Sequence, residues 1–351
     1  MKSPFTKALM GWHSSKNNRI MPWKGEKDPY KIWLSEIILQ QTRVEQGRDY
    51  YNRFIKVFPT IQDLANAPDQ AVFKLWEGLG YYNRCRNLLH TARTIAAEFG
   101  GQFPDTYDEI IKLKGIGPYT AAAITSFAFG LPYAVVDGNV LRVLSRVFAV
   151  SDPIDSKTGI QKLNALAKEL LDLDYPGIYN QAIMDFGAVI CKPASPLCNS
   201  CPVQKICKAF KKGMVEELPI KATKIARRKR WFYYFLVEKK GQVLIRQRAE
   251  KDIWQDLNEF ILEESPRKQT TEKLLKAPSI MAITKGKTFQ VSDISMEYKQ
   301  LLTHQEIHGR FIHIKVNESP AIPPGFHWVK WTALKKIPFP KYILSYLGKK
   351  R

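Results

Sequence analysis

The chain has 351 residues, more than one hydrophobic core usually fills, which predicts about two domains of roughly 100–200 residues each. Hydrophobic residues make up 45% and charged residues 25% of the chain, which excludes a disordered tail. Lysine and arginine number 54 against 33 acidic residues, and the net charge of +21 makes nucleic acid the expected partner.

A membrane role is not expected, because the sequence has neither an apolar span of about 20 residues nor a lysine-rich amphipathic helix. The N-terminal segment has no apolar core of a secretory signal, so we expect a cytoplasmic location. Disulfides are not expected there. Four of the five cysteines fall close together, which in a reducing compartment indicates metal or iron–sulfur ligation.

The first informative element is a predicted helix that begins at Pro29, with Asp28 as its cap. Glu36 lies within it, and three of its four neighbours at helical spacing are apolar: Ile32, Trp33 and Leu39, with Gln40 the exception. A carboxyl group on that face is desolvated, which should raise its pKa and suit it to general acid catalysis. The alternative is that Glu36 reaches solvent or pairs with an arginine from elsewhere.

The segment 113–119 sets Gly115 and Gly117 two residues apart, ahead of Pro118 and an alanine-rich helix. Glycines let the backbone approach an anion closely, and the helix N-terminus favours negative charge. The backbone amides of this segment are therefore predicted to bind DNA phosphates without recognising the base sequence. A tight turn between helices, with no DNA contact, is the alternative.

Asp137 follows an apolar extended run and precedes a helical run, so it is predicted to cap a helix. A carboxylate at that position is stabilised and is expected to stay ionised near neutrality. Most such residues are only caps, but an anion there can also stabilise a sugar oxocarbenium ion. Together with a protonated Glu36 it reproduces the two-carboxylate logic of glycosidic bond cleavage.

The clustered cysteines have the spacing C-x6-C-x2-C-x5-C over residues 191–207. They are Cys191, Cys198, Cys201 and Cys207. Four thiolates suit tetrahedral zinc or a cubane iron–sulfur cluster; zinc sites more often show paired CxxC knuckles, and only one such pair occurs here. The spacing alone leaves both open.

The sequence pattern changes after residue 213. Residues 208–230 contain nine basic and two acidic residues, which predicts an exposed basic linker at 214–230 between a helical domain, 1–213, and a β-rich domain, 231–351. Strand-like runs at 231–237 and 242–246 flank a glycine turn, and residues 308–316 alternate like another strand. Residues 338–347 predict a short closing helix.

Six motifs occur in an order that resembles a known family. They are the segments 35–42, 78–82, 115–119, 136–140 and 184–188 and the cysteine loop 191–207. The chain resembles the helix-hairpin-helix base-excision glycosylases with an iron–sulfur loop, and among them the MutY-type adenine DNA glycosylases. The resemblance implies a mainly α-helical helix-hairpin-helix glycosylase domain with an iron–sulfur loop, followed by a smaller α+β Nudix-like domain.

The same resemblance implies hydrolysis of the N-glycosidic bond of adenine paired with 8-oxoguanine or guanine in duplex DNA, after base flipping. Glu36 would protonate the adenine and Asp137 would stabilise the oxocarbenium ion, with Asn139 and Tyr119 orienting the site. The sister endonuclease III group has a lysine at the position of Tyr119, and that amine forms a Schiff base. Tyrosine cannot do so, which implies a monofunctional enzyme with little or no AP lyase activity.

Further site residues follow from the resemblance alone. The positions that line the adenine pocket are Arg19, Trp23 and Gln181, and those that fill the gap in the DNA are Gln41, Leu79 and Tyr81. The cysteine loop would carry a [4Fe–4S] cluster, with zinc as the minor alternative. A structural role for the cluster is preferred to a redox role, because the sequence shows ligands and no electron route.

The C-terminal domain resembles the Nudix-like domain that recognises 8-oxoguanine. Thr303 and His304 would supply hydrogen-bond donors to the damaged base, whereas Leu302 replaces the family's phenylalanine and puts any stacking contribution in doubt. No REXXEEXG box follows Gly241, so nucleotide hydrolysis is not expected.

Two alternative functions predict different behaviour. An endonuclease III-like lyase for oxidised pyrimidines is disfavoured by Tyr119 and by the C-terminal domain. A non-catalytic lesion-binding protein would need neither Glu36 on an apolar face nor Asp137 at a helix start. Duplex DNA is the expected partner and a monomer the expected state, because no heptad seam is present. Cys85 is expected to be an ordinary helix residue, and Lys24 to attract only the DNA backbone.

Overall fold

The computed structural model describes residues 2–222, 226–284, 288–317 and 320–348. Its helices are α1 (Pro4–Lys16), α2 (Pro29–Leu39), α3 (Val44–Val57), α4 (Ile61–Asn66), α5 (Asp69–Trp76), α6 (Tyr82–Glu98), α7 (Tyr107–Ile110), α8 (Pro118–Ala128), α9 (Gly138–Phe148), α10 (Lys157–Leu170), α11 (Pro176–Val189), α12 (Lys208–Lys211), α13 (Thr271–Leu275), α14 (Pro278–Thr284) and α15 (Lys341–Leu347). Its strands are β1 (Arg228–Lys239), β2 (Gln242–Gln247), β3 (Asn258–Glu259), β4 (Ile261–Ser265), β5 (Gln290–Ile294), β6 (Tyr298–Leu301), β7 (Gln305–Lys315) and β8 (Phe326–Lys330).

The chain forms two compact units. The first is helical and contains the residues up to Asn66 and those from Arg86 to 222. The second contains Ala67–Cys85 and the described residues after 225, and it includes every strand named above. Helix α5 therefore groups with the second unit, although it lies inside the predicted domain 1–213. The predicted boundaries at 213 and 230 remain expectations, and residues 223–225 of the predicted linker lie outside the described residues.

Helices α2 and α8 pack against each other in the helical unit. The Asp28 side chain caps α2 by accepting a hydrogen bond of 2.9 Å from the amide of Tyr30, as predicted. Helix α8 starts at Pro118 directly after Gly117, and three small buried side chains at 121–123 let α2 approach it closely. This close packing brings residues from distant parts of the chain together.

Helices α9 and α11 form the second packed pair that positions the site. The Asp137 side chain caps α9 by accepting a hydrogen bond of 2.8 Å from the amide of Val140, which confirms the predicted cap. On α11, a Cβ atom added at Gly187 would lie 2.7 Å from Cβ of Asn139. Glycine at that position therefore lets the start of α9 lie directly against α11.

The predicted exposed linker is wrong for its first part, because apolar residues there join the helical core. Leu218 is buried and its carbonyl accepts a hydrogen bond of 2.8 Å from Nε of Arg146. The amide of Ile154 donates to the carbonyl of Ile220 at 2.9 Å. Residues 226–229 are exposed, as expected, and β1 begins at Arg228, three residues before the predicted strand.

The second unit contains a mixed sheet in the order β3-β2-β1-β7-β5. Strand β1 runs parallel to β7 and antiparallel to β2 and β4; β6 pairs with β7, and β8 with β2. The predicted strands are confirmed, and α15 confirms the predicted closing helix. The ring of Tyr346 on α15 stacks on Phe311 of β7 with centroids 4.2 Å apart, so this helix seals one face of the sheet.

The segment 302–304 forms the turn between β6 and β7, where the amide of Leu302 donates to the carbonyl of Gln305 at 2.8 Å. The sheet with its flanking short helices is the predicted α+β arrangement. Within the described ranges, no helix has the length and apolar character that crossing a membrane requires.

Candidate active site

A cavity of about 510 Å³ opens in the helical unit. This volume lies within the range of about 300–1,000 Å³ that is typical of ligand pockets. The predicted site residues that line it are Arg19, Trp23, Glu36, Gln41, Tyr119, Asp137, Asn139 and Gln181. The fold thus brings together eight side chains that the sequence singled out from five separate segments.

Glu36 lies on α2 and is 6% exposed, which agrees with its apolar neighbours in the sequence. The hydroxyl of Tyr119 on α8 donates a hydrogen bond of 2.7 Å to its Oε2. Burial raises the pKa of the Glu36 carboxyl to about 7, the bond from Tyr119 opposes that rise, and the charge of Asp137 adds to it. The predicted upward shift is confirmed, and a large fraction of Glu36 is protonated at neutral pH.

Asp137 faces the same cavity from the N-terminus of α9. Its Oδ1 accepts the capping bond from Val140, and its Oδ2 accepts a bond of 2.7 Å from Nδ2 of Asn139. Desolvation nevertheless raises the pKa of the Asp137 carboxyl, and these bonds and the charge of Arg142 only partly offset it. The cap is present as predicted. Burial, which the sequence did not reveal, raises the pKa and so opposes the expected ionisation of Asp137.

The side-chain amide of Asn139 is held in place by the buried guanidinium of Arg142. Nη2 of Arg142 donates to Oδ1 of Asn139 at 2.9 Å and to the carbonyl of Gly187 at 2.8 Å, while its Nε donates to the carbonyl of Cys191 at 2.9 Å. Because Oδ1 of Asn139 accepts from Arg142, its Nδ2 is left to donate to Asp137. Arg142 therefore orients the amide that holds Asp137.

The opposite rim of the cavity is organised by Asp185, a buried carboxyl group on α11. Nη1 of Arg19 donates to its Oδ1 at 2.8 Å, and Nε2 of Gln181 donates to the same oxygen at 3.0 Å. Trp23 lines the cavity, and its ring packs edge-on against Tyr51 with centroids 5.3 Å apart. Arg19 and Gln181 are thus joined through Asp185, and all three predicted pocket residues line the cavity.

The remaining predicted DNA contacts lie on exposed loops. Gln41 is exposed at the end of α2, with a positive φ of 57°. Leu79 and Tyr81 belong to the second unit, where Leu79 is buried and Tyr81 is 48% exposed. The hydroxyls of Tyr81 and Thr303 share a hydrogen bond of 2.9 Å, and the neighbouring His304 is exposed. These residues, apart from Gln41, do not line the cavity.

The predicted hairpin joins α7 to α8. Gly115 has a φ of +80°, and a Cβ atom added there would lie 2.6 Å from Cβ of Asn87. Glycine is required at this position by both conformation and space. Gly117 has a negative φ and caps α8, and an added Cβ atom would meet nothing within 4 Å. The turn between helices is therefore present, and its contact with DNA remains a prediction.

The four clustered cysteines lie beside α9, α11 and α12. All four line one small apolar cavity: Cys191, Cys198, Cys201 and Cys207. Nη1 of Arg146 lies 3.6 Å from Sγ of Cys191. Within the described residues no three potential ligands are arranged to hold a metal ion. A donor set of four thiols and no oxygen or nitrogen ligand fits iron–sulfur or zinc chemistry.

Several residues of the site were missed by sequence reasoning. They are His13, Lys24, Arg142 and Asp185. Lys24 was expected to attract only the DNA backbone, whereas its Nζ lies 3.2 Å from Asp185 and lines the cavity. A signal for Asp185 was available, because it is the one charged residue of α11, and three of its four neighbours at helical spacing are apolar. Apolar neighbours at helical spacing had singled out Glu36 in the same way.

Two parts of the chain match two protein families. Residues 34–169 match the HhH-GPD superfamily base excision DNA repair protein family, and residues 233–349 match the NUDIX domain family. These matches define the class: a helix-hairpin-helix base excision protein with a Nudix-like second domain. The predicted fold class is thereby confirmed.

Sequence identity to related proteins identifies the family within this class. The chain is 33% identical over 319 residues to the adenine DNA glycosylase of Buchnera aphidicola subsp. Baizongia pistaciae, covering 90% of this chain and 87% of the relative. It is 43% identical over 228 residues to the rat (Rattus norvegicus) adenine DNA glycosylase, covering 61% of this chain and 44% of the relative. The chain belongs to the MutY-type adenine DNA glycosylase family.

Solved structures show the same fold. A thermostable thymine-DNA glycosylase is 31% identical, has a TM-score of 0.55 and matches 59% of this chain and 95% of its own. An endonuclease III–DNA complex at 23% identity, with a TM-score of 0.52 and covering 60% of this chain and 95% of its own, shares the fold.

Proposed function

We propose that the protein excises adenine paired with 8-oxoguanine, or with guanine, from duplex DNA by hydrolysis of the N-glycosidic bond. The observation that carries the proposal is the carboxyl pair in one cavity: buried Glu36, whose pKa is raised to about 7, and Asp137 at a helix N-terminus. Two carboxyl groups in different environments can divide acid and anion roles between them. The relatives named adenine DNA glycosylase support adenine as the base.

Glu36 acts as the general acid in this proposal. A base stacked in duplex DNA hides the atom that must be protonated, so the adenine must first be flipped into the cavity. A carboxyl group with a pKa of about 7 still holds its proton at neutral pH and can transfer it to a ring nitrogen of the leaving adenine. The conjugate base then accepts a proton from the attacking water.

Asp137 stabilises the positive charge that develops on the sugar as the base departs. Its carboxylate is held by Asn139 and by the amide of Val140, so it does not need to reorganise during the reaction. The carboxyl group of Asp137 is desolvated by burial. Attraction between the two charges is strengthened by that low-dielectric surrounding.

Tyr119 makes the enzyme monofunctional in this proposal. A strand-cleaving lyase needs an amine that attacks the sugar and forms a Schiff base. The hydroxyl of Tyr119 instead donates to Oε2 of Glu36, where it orients the acid. Little or no AP lyase activity is therefore expected, and borohydride should trap little or no covalent protein–DNA complex.

The flipped adenine leaves a gap in the duplex, which side chains of the protein would fill. We assign Gln41, Leu79 and Tyr81 to this gap. The bond between the Tyr81 and Thr303 hydroxyls supports placing Leu79 and Tyr81 beside the 8-oxoguanine contacts, Thr303 and His304. A hydroxyl and an imidazole supply donors for the damaged base.

In this proposal, duplex DNA binds through electrostatic attraction between its phosphates and the positively charged protein. The net charge of +21 and the hairpin with Gly115 and Gly117 ahead of α8 support phosphate binding without sequence preference. The protein is proposed to act as a monomer.

The cysteine loop is proposed to hold a [4Fe–4S] cluster through Cys191, Cys198, Cys201 and Cys207. Four thiols around one small apolar cavity support this donor set. When bound, such a cluster cross-links the loop and can exchange one electron. The loop itself is tied to α9 by the Arg146 guanidinium, which donates to the carbonyl of Lys192 at 2.7 Å.

The deciding experiment is single-turnover cleavage of two duplexes, adenine opposite 8-oxoguanine and adenine opposite cytosine, followed by alkali. Alkali-dependent breaks at the adenine, far faster opposite 8-oxoguanine, support a monofunctional mismatch glycosylase. Breaks without alkali would instead indicate a lyase. Protein with an intact cluster that releases no adenine from either duplex would refute the proposal.

A further inference from the structure

The basic residues at the start of β1 differ in what balances their charge. Arg230 is buried, and its guanidinium binds the carboxylates of Asp252 and Glu264, each at 2.7 Å. Residues 227–229, two arginines and a lysine, are exposed, and no carboxylate of the described residues forms an ion pair with them. These three residues, here called the basic strip, can therefore attract an anion from outside the protein.

The basic strip is hydrogen-bonded to the turn that carries the proposed 8-oxoguanine contacts. Nε of Arg227 donates to the carbonyl of Leu302 at 3.1 Å, and the amide of Arg228 donates to the carbonyl of His304 at 2.9 Å. Adjacent residues of the strip thus hold the two carbonyls that flank Thr303. The strip and the turn therefore keep a fixed position relative to each other.

The acidic residue opposite Lys229 in the sheet already has other partners. Glu306 is the register partner of Lys229 in the parallel pair of β1 and β7. Its Oε1 lies 2.5 Å from Nζ of Lys299 and 2.9 Å from Nε2 of His308. The ammonium group of Lys229 is thus left for a partner outside the protein.

Phosphate oxygens suit the donors that the basic strip presents. A guanidinium has five N–H donors, and the bond from Nε of Arg227 to Leu302 uses one of them. Its two Nη groups can bind a phosphate in a bidentate manner at the same time. Arg228 and Lys229 are successive residues of a strand, so their side chains point to opposite faces and are expected to contact different phosphates.

We propose that the basic strip binds the phosphates of the DNA strand that carries 8-oxoguanine, and that Arg227 is a positioning residue that fixes the turn 302–304 against that strand. The inference rests on the proposed function, in which Thr303 and His304 contact the damaged base. Phosphate contacts fix the position of a protein on the duplex, whereas contacts to base edges carry specificity. Arg227 joins the two, because it binds both the turn and the DNA backbone.

The experiment measures equilibrium binding to two duplexes that contain a tetrahydrofuran abasic analogue opposite 8-oxoguanine or opposite guanine. The analogue has no base and no glycosidic bond, so binding is measured without catalysis. Affinities between about 50 and 200 mM salt give the slope of log K against log salt concentration, which reports the number of phosphate contacts. The ratio of the two affinities reports recognition of the lesion.

Arg228→Gln and Lys229→Gln should each make the slope less steep by about 0.9, the value for one phosphate contact, and leave the affinity ratio unchanged. Arg227→Met, which has neither charge nor donor, should change the slope equally. It should also lower the ratio about threefold or more, because the carbonyl of Leu302 loses its partner. Lys240→Gln is the matched control: it removes an exposed charge just beyond the other end of β1 and should change neither quantity.

The slope and the ratio test the two parts of the inference separately. Slopes of the three strip variants that equal the slope of Lys240→Gln overturn the phosphate contacts, and an unchanged ratio in Arg227→Met overturns the positioning role. If Arg227→Met does not fold, Arg227→Lys replaces it: this variant keeps the charge but lacks the guanidinium fork, so the slope should be kept and the ratio should fall. Wild-type protein that binds both duplexes equally would instead refute the proposed recognition of 8-oxoguanine, whereas the slopes would still test the strip.

Discussion

The hydroxyl of Tyr119 donates a 2.7 Å hydrogen bond to Oε2 of Glu36, although the two residues are 83 positions apart. The bond favours the ionised carboxylate, whereas burial favours the protonated form, and burial dominates. The site thus contains an acid that keeps its proton near neutrality and a donor that orients it. The first three predictions test this balance.

Glu36→Gln should abolish adenine excision while preserving affinity for DNA. Glutamine keeps the size and the acceptor for Tyr119 but has no proton to transfer, so we expect a loss of about 10²–10⁴-fold or more. Single-turnover rates and equilibrium binding to the same adenine–8-oxoguanine duplex measure the two effects. Glu169→Gln, on the exposed face of α10, is the matched control. Excision by Glu36→Gln at the parental rate would show that the acid lies elsewhere.

The same substitution should stabilise the protein at alkaline pH. The pKa of the Glu36 carboxyl is about 7 in the folded protein and 4.5 ordinarily, so folding favours the protonated form. Stability contributed by this group is full below pH 4.5 and is lost as the pH rises through 7. The penalty above pH 7 is on the order of 3 kcal/mol.

Unfolding of Glu36→Gln and wild type in urea at pH 5 and pH 8 measures this effect. The variant's advantage should grow with pH. A difference in the free energy of unfolding that stays constant between the two pH values would contradict the raised pKa.

Tyr119→Phe should move the alkaline limb of the pH–rate profile to higher pH. The lost bond favours the carboxylate, so its removal raises the pKa of Glu36 further, and the acid stays protonated over a wider range. The rate at the optimum should fall, because the acid is no longer oriented. Tyr133→Phe, whose ring stacks on Tyr107 outside the cavity, should leave the profile unchanged. A limb that moves to lower pH would reverse the assigned sign.

Cys198→Ser should reduce the iron and sulfide bound per chain, and Cys85→Ser should not. Both thiols belong to the same protein, but Cys198 lines the cavity shared by the four clustered cysteines, whereas Cys85 is buried in α6. Elemental analysis of the purified variants measures the difference. Zinc in place of iron in the wild-type protein would favour the alternative metal.

Gly115→Ala should destabilise the hairpin more than Gly117→Ala, which replaces only an N-cap residue. A side chain at 115 is strained by the φ of +80° and collides with Asn87, which costs about 1–3 kcal/mol, while position 117 has open space. Thermal unfolding measures the stability of each variant. DNA affinity then tests the phosphate contact separately, because loss of binding by the stable Gly117→Ala protein would locate the backbone contact at this turn.

Local patterns in the sequence were sufficient to predict several elements. Asp28 before Pro29 predicted the start of α2, and Asp137 after an apolar run predicted the cap of α9. These features depend on neighbouring residues only, since a cap satisfies amides within its own first turn. The strand-like runs of β1 and β2 were equally local. The apolar neighbours of Glu36 even predicted the direction of its pKa shift.

The tertiary structure alone determined which of these residues meet. Nothing local to Asp185 shows that Arg19 and Lys24 converge on it, because these contacts depend on how α11 packs against chain more than 150 residues away. Leu218 was wrongly expected to be exposed for the same reason. Its segment is rich in basic residues, which suggests exposure, but a core formed by residues distant in the chain buries its apolar side chains. Sequence by itself determined the helix starts, the strands and the chemical types available. Packing decided the burial of each carboxyl group, and burial sets its pKa.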